Sequence, residues 1–299
     1  MSRIGPLLLA LLLLPSSALA GPWSKEFGQL YVKVGADLYY TRDYDDARQG
    51  AGIGPDGAGI QDLLSTQISV YGEVGVLPVW PLQLSVSLPL SIGRTTFTDP
   101  TLIGEDEIGV ATGVRLGDLR VALQSQILRK GFQLAGSVEL KVPLYSNDKV
   151  GQGLGPYRDW FAIPGDGQLD ITPMVLMGGS IPTPVPMWIE GGVGYRFRTE
   201  AFIGWTTELE FVDGIPFYAT WGLAPGPVWI TLRADGIKNI KEDETTREFV
   251  TIGPGVGITV WKGLAIEFRV AGDVVAKNAP QGVSGGFGVS WRMPYPGQE

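Results

Sequence analysis

Residues 64–92 hold two arms of strict alternation. In the first, Leu64, Thr66, Ile68, Val70, Gly72, Val74 and Val76 share one parity, while Ser65, Gln67, Ser69, Tyr71, Glu73 and Gly75 share the other. After Leu77-Pro78-Val79-Trp80-Pro81 the pattern returns, with Leu82, Leu84, Val86, Leu88, Leu90 and Ile92 set against Gln83, Ser85, Ser87, Pro89, Ser91 and Gly93. A period of two means strand. Each arm is longer than the usual soluble strand of about five to six residues and reaches the roughly 9 to 11 that cross a bilayer at a tilt. A long hairpin with one apolar and one polar face predicts a transmembrane β-barrel.

The same pattern recurs in residues 30–40, 119–126, 132–144, 169–177, 189–198, 215–221, 228–234, 250–260, 264–273 and 283–293. Residues 199–214 resist parsing and hold at most part of a strand. About twelve strands result, an even number as bacterial barrels require, so the predicted fold is all-β, an antiparallel up-and-down barrel. Longer connections at 41–61, 98–117 and 145–167 alternate with short turns such as Arg129-Lys130-Gly131 and Trp261-Lys262-Gly263. Short periplasmic turns and longer outer loops are the habit of outer-membrane barrels. A soluble β-sandwich also alternates, but its inner face is a packed core and it has no reason for one-sided loop lengths.

Charge placement sharpens the prediction. Lys33, Asp37, Glu73, Arg120, Glu139, Lys141, Asp170, Glu190, Arg196, Arg198, Arg233, Asp235, Glu267, Arg269 and Asp273 fall on the parity opposite the larger apolar set. They are the predicted lumen lining and transport path. A Lys or Arg misplaced onto lipid at the midplane costs roughly 2 to 4 kcal/mol, and a one-residue slip would move a whole row, so the register is tightly specified. Within it, Glu139 is expected to pair with Lys141 and Glu190 with Arg196. Trp80, Trp188, Trp221, Trp229, Trp261 and Trp291 lie near the predicted periplasmic ends and are expected to form an interfacial aromatic girdle. By parity Trp80, Trp221 and Trp291 point outward, whereas Trp188, Trp229 and Trp261 fall inward or in turns.

Residues 1–20 read as a secretory signal: Arg3, an apolar run from 7 to 14, and Ala18-Leu19-Ala20 before a cleavage point at Gly21. The mature chain, 21–299, is then a single barrel domain of the cell outer membrane. Its expected partners are the outer-membrane bilayer and the machinery that assembles barrels there, together with a small solute of unknown identity. The seven residues from Gly21 to Phe27 are too few to form an N-terminal plug.

Composition mainly excludes. Lys and Arg number 23 against 31 Asp and Glu, a formal charge of −8, which speaks against a nucleic-acid partner. With no His and no Cys, Ser-His-Asp and Cys-His catalysis and His-ligated metals are ruled out, and no disulfide framework forms. The chain reads as a non-enzyme with no cofactor. Residues 52–57 match GxGxxG, but no helix pattern follows, so a loop is the better reading. Asp43, Asp45 and Asp46 lack the Gly and Glu positions of an EF-hand loop.

Residues 117–198 carry Gly117-Asp118-Leu119-Arg120, Leu140-Lys141-Val142-Pro143, Gly165-Asp166-Gly167-Gln168-Leu169-Asp170 and Gly191-Gly192-Val193-Gly194-Tyr195-Arg196-Phe197. In these the chain resembles the outer-membrane barrel family of the meta-pathway of phenol degradation. The resemblance implies a transporter-like barrel that passes hydrophobic or aromatic compounds, and it implies no catalytic residues. Two functions stay open on the sequence: a channel for passive diffusion or uptake of small solutes, and a non-conducting barrel that displays its outer loops to a partner or surface.

Overall fold

The computed structural model describes residues 22–43, 59–98, 108–145, 167–181, 183–202, 211–242, 246–277 and 281–293. The strands are β1 (Leu30–Asp43), β2 (Gly59–Gly75), β3 (Leu82–Thr98), β4 (Ile108–Leu116), β5 (Asp118–Leu128), β6 (Gln133–Pro143) and β7 (Gln168–Ile181). They continue as β8 (Met187–Gly194), β9 (Phe197–Phe202), β10 (Gly214–Leu223), β11 (Val228–Asn239), β12 (Glu248–Trp261), β13 (Leu264–Lys277) and β14 (Gln281–Met293). Because β1 pairs antiparallel with β2 on one side and β14 on the other, the ladder closes on itself. Consecutive β4 and β5 both pair with β3, and β8 and β9 both pair with β7, so each couple is one interrupted stave. The molecule is a closed antiparallel barrel of twelve staves.

Both interruptions trace to proline, which gives the ladder no N–H. Along β3 the register moves by one residue between Leu90↔Leu116 and Ser87↔Arg120. There Gly117 donates to the Pro89 carbonyl at 2.8 Å, and a Cβ on Gly117 would meet the Pro89 ring at 2.9 Å. Between β8 and β9, Tyr195 donates to the Pro173 carbonyl at 3.0 Å, with Pro216 on the other flanking strand.

Burial is inverted relative to a soluble protein. Val34, Leu38, Val70, Phe268 and Val270 are exposed on the outer wall, whereas Glu73 and Asp170 keep only 1% of their surface. A continuous apolar exterior is a liability in water and the expected face in lipid. Inside, large side chains lie on bare backbone. A Cβ on Gly222 would stand 2.1 Å from the Trp188 ring, and one on Gly257 the same distance from Trp229. The rings therefore lie flat against neighbouring staves.

Three expectations change. Residues 98–117 are not all loop: β4 occupies their second half, its alternation blurred by Gly109, Ala111 and Gly113 on the polar parity. The first connection is also shorter than expected, since β1 runs to Asp43 and β2 starts at Gly59. Trp188 and Trp229 do not join a girdle; they are buried inside the barrel at 6% and 4%, because glycines on adjacent staves leave room for them. Trp80, Trp221, Trp261 and Trp291 are exposed. The segment 199–214 contributes the end of β9 and the start of β10. The signal segment, the GxGxxG match, Asp45 and Asp46 lie outside the described residues.

Val270 sits on the outer face near the middle of β13. Val270→Arg is expected to lower the refolding free energy in lipid vesicles by about 2 to 4 kcal/mol. Denaturant titration of the vesicle-inserted protein measures this, and a change near zero would mean that Val270 does not face lipid.

Candidate functional site

The fifteen charged residues expected to line the lumen share the inward parity throughout the barrel. Lys33 of β1 contacts Glu267 of β13 at 2.5 Å, and Arg269 of β13 contacts Asp37 of β1 at 2.7 Å. Both pairs bridge across β14, whose inward positions there are Gly286 and Gly288. A Cβ on Gly286 would meet Asp37 at 2.1 Å, and one on Gly288 would meet Lys33 at 2.7 Å. The glycines thus open the gap through which charges two staves apart reach one another. Elsewhere pairs form between adjacent staves: Arg120 with Glu139 at 2.7 Å and Lys141 with Asp170 at 2.7 Å. Arg233 pairs along its own strand with Asp235 at 3.0 Å and lies 4.7 Å over the Tyr218 ring. Asp273 accepts from the Tyr39 hydroxyl at 2.9 Å and from the Thr251 hydroxyl at 2.6 Å.

Two pairings differ from those expected. Glu139 and Lys141 do not pair with each other; each finds its partner on a neighbouring stave. Lys141 directly faces Asp170 across the β6–β7 ladder, which leaves Glu139 to take Arg120, diagonally placed on β5. Glu190 lies opposite Thr220 and near Arg233, and its Oε2 has no hydrogen-bond partner. Arg196 bridges to Gly214, and Arg198 donates to the Gln168 side chain at 3.2 Å.

The site also contains a segment that periodicity did not reveal. Residues 22–29 run inside the barrel at the end where the short turns lie. Pro22 is fully buried and lies beside Gly178 of β7. Trp23 packs against a buried cluster of Trp188, Ala224, Trp229 and Ala265. Further along, the Lys25 amide donates to the Gln83 side chain at 2.8 Å, and its ammonium meets Glu73 at 2.9 Å with both side chains almost wholly buried. Glu73 also accepts from the Tyr71 hydroxyl at 2.5 Å. Since β11, which carries Trp229, stands five staves from β2 and six from β3 in the ring of twelve, the segment is a strap across the lumen.

Local chemistry explains how the strap leaves the wall. Gln29 donates to the Glu26 carbonyl at 3.0 Å and Gly28 has φ +77°, the glycine position of a type II turn. Gly28 and Gln29 then exchange backbone hydrogen bonds with Gly75, at 3.0 and 3.1 Å. Any Cβ on Gly75 would lie 2.0 Å from the Glu26 carbonyl oxygen, so glycine is what lets the strap pass. The eight residues 22–29 are enough to cross the lumen because they run as an extended chain and build no domain. The signals available in the sequence were inward glycines at 75 and 178 and a Lys with no strand of its own.

Water access varies along the lumen. The Arg269 side chain is 57% exposed and Asp235 42%, while Lys25 and Glu73 keep 4% and 0%. Burial draws the Lys25 ammonium below the usual lysine pKa, opposed by attraction to the Glu73 carboxylate. The middle of the barrel is therefore more open to water than the Lys25–Glu73 pair under the strap, and the Lys141–Asp170 pair toward the long-loop end is as deeply buried, at 5% and 1%. Among the described residues no group of acids is arranged to hold a metal ion.

Removing one member of a buried ion pair leaves the other uncompensated, at a cost of about 3 to 5 kcal/mol. Glu73→Ala and Gly75→Val are each expected to release the strap while the barrel stays folded. Limited proteolysis of detergent-solubilised protein reads this as cleavage within residues 22–29. Equal resistance in wild type and both variants would contradict the strap's anchoring.

No family model and no curated protein matches the sequence, so the resemblance in residues 117–198 is carried by its motifs alone. Among solved structures, an outer membrane channel from Pseudomonas putida F1 superposes with a TM-score of 0.63 at 12% identity, over 90% of this chain and 97% of that one. The transport unit of the autotransporter AIDA-I from Escherichia coli superposes at 0.47 with 9% identity, over 97% and 98% of the two chains. The Ralstonia pickettii toluene transporter TbuX does so at 0.42 with 10% identity, over 90% of each chain. At identities this low the likeness concerns the fold, and the fold is that of an outer-membrane β-barrel.

Proposed function

We propose that the protein is an outer-membrane channel for passive diffusion of small solutes, held closed toward the periplasm by the strap of residues 22–29. The observation that carries this reading is a water-exposed, charge-lined middle with a segment that is not part of the barrel wall laid across the short-turn end. A barrel meant only to display loops has no use for a hydrated interior. Twelve strands lie between the eight whose interior side chains fill and the roughly 16 to 18 that hold open water, so a narrow bore with a removable closure suits the size. The fold shared with the Pseudomonas putida channel supports the same reading.

The lining supports small solutes without strong charge preference, since Lys33, Arg120, Arg233 and Arg269 each have an acidic neighbour. Tyr31, Tyr39, Tyr71 and Tyr218 add ring faces to the inward row. Lys25 covers the Tyr31 ring and Arg233 the Tyr218 ring, so the reading of aromatic or hydrophobic solutes rests on the family resemblance of residues 117–198.

Planar-bilayer recording tests the proposal. Deleting residues 22–29 is expected to raise single-channel conductance several-fold over the intact mature chain. Absence of conductance in the deletion variant at any voltage would overturn the channel and favour the non-conducting barrel. In a conducting barrel, Arg233→Ala leaves Asp235 uncompensated in water and is expected to shift selectivity toward cations. Unchanged reversal potentials would place Arg233 away from the ion path.

A further inference from the structure

Two short turns stand side by side, because β3 and β5 pair from Leu82↔Ser125 onward. Between them runs an open groove of about 480 Å³, with Val79, Trp80, Ile127 and Leu128 on its floor and walls and Arg129 and Lys130 at its rim. That volume falls within the range of about 300 to 1,000 Å³ typical of small-molecule sites. Val79 is 88% exposed and the other three apolar side chains about half exposed.

The groove is built from braced parts. The Trp80 indole N–H donates to the Ser125 hydroxyl, which fixes the ring at the edge of the groove. On the other turn the Gln133 side chain donates to the carbonyls of Arg129, at 2.9 Å, and Gly131, at 3.4 Å, and it accepts from Gln126. With its carbonyls occupied and Gly131 at φ +69°, the turn is held while both basic side chains stand exposed. Neither has an acidic partner among the described residues.

The short connections at this end carry charge of one sign, and the exposed Glu26 lies on the strap and not on a turn. The short connections 76–81, 129–132, 182–186, 224–227 and 262–263 hold three charged residues, Arg129, Lys130 and Lys262, all cationic, in a chain of net charge −8. Two adjacent cations beside exposed Trp and aliphatic side chains match the layer where lipid phosphates meet acyl chains.

We propose that this groove binds the headgroup of an anionic phospholipid of the periplasmic leaflet. The phosphate sits between Arg129 and Lys130, and the glycerol and first acyl carbons lie against Trp80, Val79, Ile127 and Leu128. The site is on the outer wall, so it does not depend on whether the lumen conducts.

Native mass spectrometry of the detergent-purified mature chain tests it, with phosphatidylglycerol, phosphatidylethanolamine and lipid A as probes. The intact protein is expected to retain one phosphatidylglycerol in preference to phosphatidylethanolamine. Reversing both charges, R129E/K130E, is expected to weaken that preference about tenfold, with K262E leaving it unchanged. Heat-modifiable migration on gels confirms that each variant folds, and R129Q/K130Q replaces the reversal if it does not. Equal retention of the two phospholipids, a preference that survives R129E/K130E, or a stronger preference for lipid A would each overturn the assignment.

Discussion

In the hydrocarbon of a bilayer no water is at hand for an exposed backbone N–H or carbonyl, and each one left unpaired costs several kcal/mol. The closed ladder of twelve staves answers that constraint, and most of the remaining architecture follows from it. Closure removes the sheet edges. It also sends alternate side chains to lipid and to lumen, which is why Val34 and Val270 are bare while Glu73 and Asp170 are covered. Strand prolines are the local violations, and they sit where the ladder already departs from regularity. Pro89 faces the Gly117 shift and Pro173 the gap at Tyr195, while Pro254 lies where the β12–β13 pairing skips from Ile252↔Gly272 to Gly255↔Arg269.

A charged lumen brings a second requirement, since each buried ion needs a partner. The wall meets it with pairs between staves, and uses inward glycines on β14 to let Lys33 and Arg269 reach past it. Glu73 is the exception on the wall, because its cationic partner, Lys25, comes from the strap. Wall and strap therefore stabilise one another: the carboxylate holds the segment that closes the lumen, and the segment neutralises the carboxylate. Besides this ion pair, the strap is held by the Gln83 hydrogen bond, the backbone bonds at Gly75 and the packing of Trp23 on the tryptophan cluster.

The architecture was legible because period-two alternation is an output of the same lipid constraint. Lys33, Glu267 and Arg269 declared their inward face through their neighbours' parity alone. Parity carries no information about reach, so the partners of Glu139 and Glu190 were misjudged; pairing depends on which staves are adjacent and how far a side chain extends. Trp188 and Trp229 were misjudged for a related reason. A tryptophan near a strand end is equally at home at an interface and in a lumen, and glycines on the next stave, at 222 and 257, decide between them. Residues 22–29 were illegible because an extended strap of single contacts has no period.

One parity of each strand touches lipid and the other encloses water, and β13, with Val270 bare on its outer face, is the strand on which this is best measured. The protein has no cysteine, so single Cys substitutions at positions 266 to 271 can each carry one spin label in vesicle-inserted protein. Collision rates with oxygen, which concentrates in lipid, and with a water-soluble nickel chelate are then measured along the strand. The account predicts two alternations in opposite phase, oxygen highest at 266, 268 and 270 and the chelate highest at 267, 269 and 271. A flat profile, or alternation in the reverse phase, would contradict it.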